Sequence, residues 1–465
     1  MSLLTYGGFL QASAAQSIGR APQSDALFNP STDSRTLRAG DAFVCLRGPS
    51  FDGHDYIAQA LRAGAAAVVF DDRAKLPPAA GVPALLVSDA KAAYLKGASA
   101  AARLAPALRI AITGSNGKTT TKALCAQLVS SVGEVLAAPQ NENNELGVAR
   151  LCYALQRSTR IAVFEFGARH PGDIARLVEI VPPHIAVLTN IGEAHLEFFS
   201  SREELARTKF AIFSRAARAV CNAGDRATLE LAKSTGIAEQ ALWVRMPGDP
   251  PVQGLTLEAA PRRDGRVELR FGSACEAASW RLVGEHHLRD ALLAAAAALL
   301  AGAGLGDIAA AFGGLRLPPG RFEVHRLRGG ITLVYDAYNS NPTSAACALR
   351  AFAQLPAARH LAVLGSMAEL GPQAQEQHER IGALAWAAGL DVLLCGGSFA
   401  AALAQGALRA GMPAEALFRY RDNPDAAAEL RRRLKAGDAL LLKGSRVEEL
   451  EQVMAELMSS EVAAS

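Results

Sequence analysis

Aromatic residues make up only 6% of this chain of 465 residues, and its seven cysteines include no Cys-x-x-Cys pair. Those seven, Cys45, Cys125, Cys152, Cys221, Cys275, Cys347 and Cys395, are odd in number and scattered through mostly apolar settings. That pattern argues against a disulfide framework and a zinc knot and reads as buried thiols. No apolar run approaches the ~20 residues that cross a bilayer, so no membrane helix is expected. The start, Met1-Ser2-Leu3-Leu4-Thr5, lacks a basic stretch followed by a long apolar one, which points away from a secretory signal and toward the cytoplasm. A net charge of +3, with signs mixed along the chain, gives no basic stripe for nucleic acid. The one basic cluster, Arg431-Arg432-Arg433, reads as the solvated face of a helix.

What the chain does have is length and a repeated α/β rhythm. At roughly 150 residues per domain, about three domains are expected. Residues 1–88 read as a small α/β unit with strands near 41–46, 66–70 and 84–87 and a helix at 56–63. Residues 89–315 begin with an Ala-rich helix (89–104) and then alternate strands at 109–113, 161–165, 185–190 and 219–222 with helices. Such alternation predicts a largely parallel sheet covered on both faces. Within that segment, 252–282 read as short antiparallel strands and 288–301 as a helix. Pro318-Pro319-Gly320 reads as a hinge into residues 316–465, where strands at 331–335, 361–364, 392–395 and 439–443 predict a second doubly wound, Rossmann-like sheet. The alanine bias reads as codon composition, and a monomer is the default.

Chemistry is concentrated in Thr113-Gly114-Ser115-Asn116-Gly117-Lys118-Thr119-Thr120-Thr121, between the apolar run 108–112 and a helical stretch. Gly114 and Gly117 let backbone N–H groups approach an anion, with Ser115, Asn116 and Thr120 completing the loop, and the following helix turns its positive end to the same place. Lys118 would reach terminal phosphates and the Thr119 hydroxyl would ligate magnesium. Two residues separate the glycines where the general P-loop has four, a more specific form.

Three further clusters follow. Gln140-Asn141-Glu142-Asn143-Asn144-Glu145-Leu146-Gly147 precedes an apolar helix; read alone, its asparagines are turn and cap formers. Val163-Phe164-Glu165-Phe166-Gly167 puts an acid at the carboxyl end of a strand, where open α/β sheets bind ligands, so Glu165 is placed to share a magnesium with Thr119. His195, in Ala194-His195-Leu196-Glu197, is either a second metal ligand or a solvated loop residue. Lys209 sits in an apolar helical setting, where a lysine is costly unless paired or modified.

Taken together, the phosphate loop, the Asn-rich cluster, Glu165, Ala194-His195-Leu196-Glu197 and Lys209 resemble the Mur ligases, ATP-dependent peptide-bond-forming enzymes of bacterial cell-wall synthesis. The likeness runs through all three segments in order. It implies an amino-terminal uridine-nucleotide domain, a central ATPase domain and a carboxy-terminal Rossmann-like domain. Tyr335-Asp336-Ala337-Tyr338-Asn339-Ser340-Asn341-Pro342 resembles the signature of the branch that adds D-alanyl-D-alanine to UDP-N-acetylmuramoyl-tripeptide. Gly365-Ser366-Met367-Ala368-Glu369-Leu370-Gly371, His378 and Lys443-Gly444-Ser445-Arg446 fit the same branch, and Asp33-Ser34-Arg35 is similar to its uridine-nucleotide region.

The resemblance implies that Lys118 contacts the ATP phosphates, that Thr119 and Glu165 hold one magnesium and that His195 with Glu165 helps hold another. Lys209 matches the lysine that the family carbamylates into a carboxylate-like metal ligand. Arg321 and Asp336 match positions that reach the nucleotide, as do His286 and Asp290 near the adenine. Asn143, Asn144, Ser34, Arg35, Tyr338, Asn339, Asn341, Lys443, Ser445 and Arg446 match substrate positions. Departures are His287 and Asp290 where the family usually has Asn, Tyr335 for an acid, Ala211 for Glu and Ala149 for Pro.

Overall fold

Short aliphatic runs bounded by glycine, proline and polar turns build three separate sheets in the computed structural model, which describes residues 2–76, 81–139, 141–192, 196–262 and 264–462. The first sheet has five strands in the order Gln16–Ile18, Ala84–Leu86, Ala67–Phe70, Ala42–Val44 and Pro30–Ser31. Its inner strands Ala42–Val44 and Ala67–Phe70 are wholly buried and pair in parallel. Parallel strands covered on both faces read as unbroken apolar runs, which is why these were legible in the sequence.

The second sheet has nine strands, in the order Ala274–Ser279, Arg266–Phe271, Thr256–Pro261, Ala241–Arg245, Arg218–Asn222, Ile185–Leu188, Leu108–Thr113, Ile161–Glu165 and Val135–Ala137. Strand Leu108–Thr113 lies between Ile161–Glu165 and Ile185–Leu188, parallel to both. The chain winds first to one side of it and later to the other, so the crevice beyond its carboxyl end is the switch point where such sheets bind ligands. The antiparallel segment expected at 252–282 is present as strands Thr256–Pro261, Arg266–Phe271 and Ala274–Ser279 at one edge of the sheet. Two strands that the sequence reading passed over, Val135–Ala137 and Ala241–Arg245, complete the sheet.

Helix Glu285–Leu300 packs across one face of this sheet beside helix Lys118–Leu128. Its alanines from Ala294 to Ala298 are fully buried, so this part of the alanine bias is a packing feature: only small side chains let a helix sit so close to its neighbours.

The third sheet runs Glu323–Arg326, Thr332–Asp336, Ala439–Lys443, His360–Leu364, Val392–Cys395 and Leu417–Arg419, all parallel except the first pair. The edge strands Glu323–Arg326 and Leu417–Arg419 were not read from the sequence, being short and only half-buried. The architecture is therefore mixed α/β, parallel-dominated, in three sheets. On helix Asn423–Arg433, Arg431 pairs with Glu456 and the exposed Arg432 with the buried Glu429, which also holds the mostly covered Arg433, so the expected solvated face is only partly present. Among the described residues no helix is long and apolar enough to cross a membrane.

Candidate active site

Strand Leu108–Thr113 ends in Thr113, whose hydroxyl donates to the Phe166 carbonyl at 2.7 Å and so ties the loop to the end of the neighbouring strand. Gly114 follows with φ 151°; a Cβ there would lie 1.9 Å from Thr189 Oγ1. Gly117 has φ 80°, and a Cβ there would lie 2.3 Å from Asp290 Oδ1. Glycine is required at both positions by conformation and by contact.

Between them the loop is held from the side by residues 189–192. Asn190 Oδ1 accepts from the Asn116 N–H at 3.0 Å, the Thr189 hydroxyl donates to the Asn116 carbonyl at 2.5 Å, and Ser115 Oγ accepts from the Gly192 N–H at 2.8 Å. Helix Lys118–Leu128 then begins with no side chain capping its first turn. Its open N–H groups and the helix dipole favour an anion at this point. Thr119 is half-buried in that first turn and Thr120 is buried.

Cations converge on the same loop. The Lys118 stem is partly exposed, but its ammonium is turned inward, donating to the Gly114 carbonyl at 2.9 Å and the Ser115 carbonyl at 3.2 Å. Lys209, on helix Arg202–Phe210, is 1% exposed and donates to the same Gly114 carbonyl at 3.1 Å. Burial pushes the Lys209 ammonium well below the ordinary lysine range, and the charge of Lys118 adds to the shift. Lys118 is also lowered by burial, with Glu165 opposing and Arg321 reinforcing. Among the described residues no ion pair joins either lysine to a carboxylate.

Glu165 closes the other side. It is 1% exposed; Asn143 Nδ2 donates to its Oε1 at 2.9 Å, while Oε2 has no hydrogen-bond partner among the described residues and faces Lys122 Nζ at 3.3 Å. Lys122 is a residue that sequence reasoning missed: it lies one turn after Lys118 on the same helix and is 4% exposed. A lysine four residues beyond the loop lysine, on the face that must pack against the sheet, was the available signal.

The buried Glu165 carboxylate and the half-buried Thr119 hydroxyl at the uncapped helix end offer the hard oxygen chemistry that suits magnesium. Among the described residues no three His, Cys, Asp or Glu side chains come together, so any metal here depends on mixed donors. His195 lies outside the described residues.

The third sheet approaches from across the crevice. Asn341 Nδ2 donates to Asn116 Oδ1 at 2.7 Å, joining the two loops directly. Asn341 Oδ1 meanwhile caps helix Pro342–Phe352 in a reciprocal box with Ser344. Arg321 stacks its guanidinium 4.5 Å over the Tyr338 ring, and its Nε is buried without a partner among the described residues.

Asp336 accepts from the Phe322 N–H at 3.3 Å and sits 3.3 Å from Lys443 Nζ, which also donates to the Asn339 carbonyl at 2.6 Å. Ser445 Oγ receives the Ala368 N–H at 2.9 Å, and Arg446 pairs with Glu451 at 3.4 Å. His378 is absorbed into the core, with Nε2 accepting from the Met367 N–H at 2.8 Å and its ring stacked on Phe399.

Asp290 packs under Gly117, and burial pushes its carboxyl up to about 8, with Thr121, Arg321 and Arg289 pulling the other way. The His286 and His287 rings lie tilted with centroids 3.9 Å apart, both held neutral by burial and both near Phe322. Asn144 caps helix Glu145–Ala154, the role expected of it from sequence alone. In the first sheet's unit, Ser34 donates to Gln59 at 3.2 Å, and the exposed Arg35 forms a two-pronged pair with Asp33.

The chain matches known proteins along most of its length. Residues 30–107 match the Mur ligase family, catalytic domain; residues 112–298 the Mur ligase middle domain; and residues 320–446 the Mur ligase, glutamate ligase domain. It is 36% identical to the UDP-N-acetylmuramoyl-tripeptide--D-alanyl-D-alanine ligase of Mycobacterium tuberculosis, covering 93% of this chain and 92% of that one. It is 29% identical to the enzyme of the same name from Bacillus subtilis, covering 92% and 93%. Among solved structures it resembles MurF from Acinetobacter baumannii with a TM-score of 0.85 at 27% identity, over 98% of this chain and 99% of that one. MurF ligase from Thermotoga maritima, solved with ADP, has a TM-score of 0.79 at 28% identity, over 94% and 99%.

Proposed function

The chain belongs to the Mur ligase family, and on that premise we infer that it is an ATP-dependent amide ligase joining D-alanyl-D-alanine to UDP-N-acetylmuramoyl-tripeptide, giving the pentapeptide nucleotide used for peptidoglycan. One observation supports this reading above the others. Lys118 bends onto the Gly114 and Ser115 carbonyls at an uncapped helix end, where a polyphosphate would meet its charge and the open N–H groups, and Lys209 donates to the same Gly114 carbonyl.

Residues 1–88 are read as the uridine-nucleotide domain, 89–315 as the ATP-binding domain and 316–465 as the Rossmann-like domain, working in the cytoplasm as a monomer. Ser34 and Arg35 are candidates for the nucleotide of the peptide substrate. Asn143 and Asn144 are candidates for its peptide. Tyr338, Asn339 and Asn341, with Lys443, Ser445 and Arg446 around them, are candidates for the dipeptide. Gly114 to Thr120, His286, Asp290, Arg321 and Asp336 are assigned to ATP.

A carboxylate and an amine form a salt at neutral pH because oxide is a poor leaving group. The tripeptide's terminal carboxylate oxygen attacks the γ-phosphorus of ATP, the bond to ADP breaks, and an acyl phosphate results. The neutral amine of D-alanyl-D-alanine then attacks the acyl carbon; the tetrahedral intermediate expels phosphate, which carries away the amine's proton. Lys118 and the loop N–H groups hold the phosphate charge as two anions approach, and Glu165 is kept in place by Asn143 and Lys122. Arg321 and Tyr338 cover the loop from the third sheet and exclude water from the acyl phosphate.

Magnesium, when bound, lowers the charge repulsion of the first step, and Thr119, Glu165, His195 and Lys209 are the residues we assign to two ions. For Lys209 this requires carbamylation, in which the amine, kept neutral by burial, attacks carbon dioxide, forms the N–C bond as a C=O electron pair moves to oxygen, and gives up its proton to water. The test is phosphate release from ATP with the tripeptide nucleotide, with and without D-alanyl-D-alanine, together with product mass. Release that needs both substrates and yields the pentapeptide nucleotide is expected. Release that ignores the amine, or an amide formed only with another amine, sinks the reading.

A further inference from the structure

Beside the phosphate crevice lies a second cavity, of about 570 Å³, lined by Lys91, Asn144, Glu145, Asp173 and Arg176 with Gly167 and two leucines. That volume falls within the range of small-ligand sites. Its charged side chains alternate in sign. Glu145 lies between Lys91 at 2.5 Å and Arg176 at 3.0 Å, and Arg176 in turn pairs with Asp173. Both cations are about half exposed and both carboxylates less so, so the pairs are solvated and can exchange partners at little cost.

The cavity is connected to the reacting centre through its own wall. The Gly167 N–H donates to the Asn143 carbonyl at 2.8 Å, and the Asn143 side chain donates to Glu165 at 2.9 Å. A carboxylate brought to a γ-phosphate beside Glu165 therefore leaves the rest of its residue next to Gly167, with the cavity open to a side chain.

Two chemistries compete for that space in a tripeptide substrate. The arm of an L-lysine ends in a lone ammonium. The arm of a diaminopimelate ends in an ammonium and a carboxylate on one carbon. A lone ammonium would find Glu145 and Asp173 but would also sit against Lys91 and Arg176, whereas a zwitterion matches a row of alternating charges at both of its groups. Resting on the ligase reading above, we propose that this cavity receives the side-chain arm of the tripeptide's third residue and selects an arm that ends in a zwitterionic amino acid, with Arg176 and Lys91 taking its carboxylate and Asp173 and Glu145 its ammonium.

The experiment compares UDP-N-acetylmuramoyl-tripeptides ending in meso-diaminopimelate and in L-lysine, at saturating ATP and D-alanyl-D-alanine, with the unaltered enzyme, Arg176→Ala and Lys91→Ala. The unaltered enzyme is expected to favour the diaminopimelate peptide by about tenfold or more in kcat/KM, the scale of one charge-assisted contact. Each variant is expected to erase most of that preference by raising KM for the diaminopimelate peptide, with a much smaller loss for the lysine peptide. Two variants are used so that misfolding of one leaves the other to decide. Equal use of both peptides by the unaltered enzyme, or an equal loss for both in the variants, overturns the proposal while the ligase stands. No amide formed with either peptide overturns the ligase reading itself.

Discussion

Two strand-to-helix loops, one in the nine-stranded sheet and one in the six-stranded sheet, are built alike around a buried lysine and differ in what they leave unsatisfied. In the first, strand Leu108–Thr113 passes through Gly114 to Gly117 into helix Lys118–Leu128, and Lys118 bends back to the Gly114 and Ser115 carbonyls. In the second, strand Thr332–Asp336 passes through residues 337–341 into helix Pro342–Phe352, and Lys443 reaches the Asp336 and Asn339 carbonyls from the adjacent strand.

The second loop is complete by itself: Lys443 has the Asp336 carboxylate at 3.3 Å, and the helix is closed by Asn341 and Ser344. In the first, the helix end has no side-chain cap, and no carboxylate forms an ion pair with Lys118 or Lys209 among the described residues. The same backbone device is a joint where the lysine has a carboxylate partner, and the loop we propose for phosphate is the one where no described carboxylate pairs with it.

The largest test of this contrast is Lys118→Ala. Turnover is expected to fall by about a thousandfold or more, because the charge acts on the transferring phosphate, while unfolding free energy changes by only about 1 kcal/mol since no ion pair is broken. Phosphate release and a denaturant melt on the same preparation check both halves. Lys209→Ala should lose most activity and regain part of it with added short-chain carboxylic acids. Absence of any rescue counts against the carbamate but leaves the ligase.

At the balanced loop the expectation reverses toward stability. Lys443→Met should cost about 3 kcal/mol, because Asp336 and the loop carbonyls are left without their cation. A thermal melt unchanged from the parent would show that the joint is not held by that pair.

Asp290 offers a pH test next to Gly117. Its folded-state pKa is raised from 3.8 to about 8, so the folded protein is at its best, as far as this group is concerned, below the unfolded value. That contribution is lost as pH climbs from near 4 toward about 8. Asp290→Asn is therefore expected to be more stable than the parent at pH 8 and to match it near pH 4, read from melting temperatures at both. The smallest effect is expected for Asn341→Ala, about 1 kcal/mol from the lost cap, with a weakened link to Asn116.

Much of this was legible beforehand, and the reason differs from element to element. Buried parallel strands such as Ile161–Glu165 and Ala439–Lys443 are continuous apolar runs, and the phosphate loop carries its own glycines and lysine. Val135–Ala137 and Leu417–Arg419 are three residues long and half-buried, too short for a periodicity to register. Asn143 and Asn144 looked interchangeable in the sequence. One of them turns to Glu165 and the other caps a helix, a division set by which side of the turn each one faces. Lys122 was passed over because an isolated lysine in a helix is normally solvated, and only the packed face reveals it against Glu165.

The sequence alone determined the α/β class, the order of the three units, the glycine-rich loop before helix Lys118–Leu128 and the likeness to amide ligases, because these depend on local runs and on residues close together in the chain. Only the tertiary structure decided that Lys118 and Lys209 share one carbonyl, that Asn341 touches Asn116, and that Lys91, Glu145, Asp173 and Arg176 alternate around one cavity. Apart from the local Lys118–Gly114 and Asp173–Arg176 contacts, they join residues from about 30 to more than 200 positions apart. No local pattern encodes them, because they are fixed by which strands lie side by side and where their carboxyl ends meet.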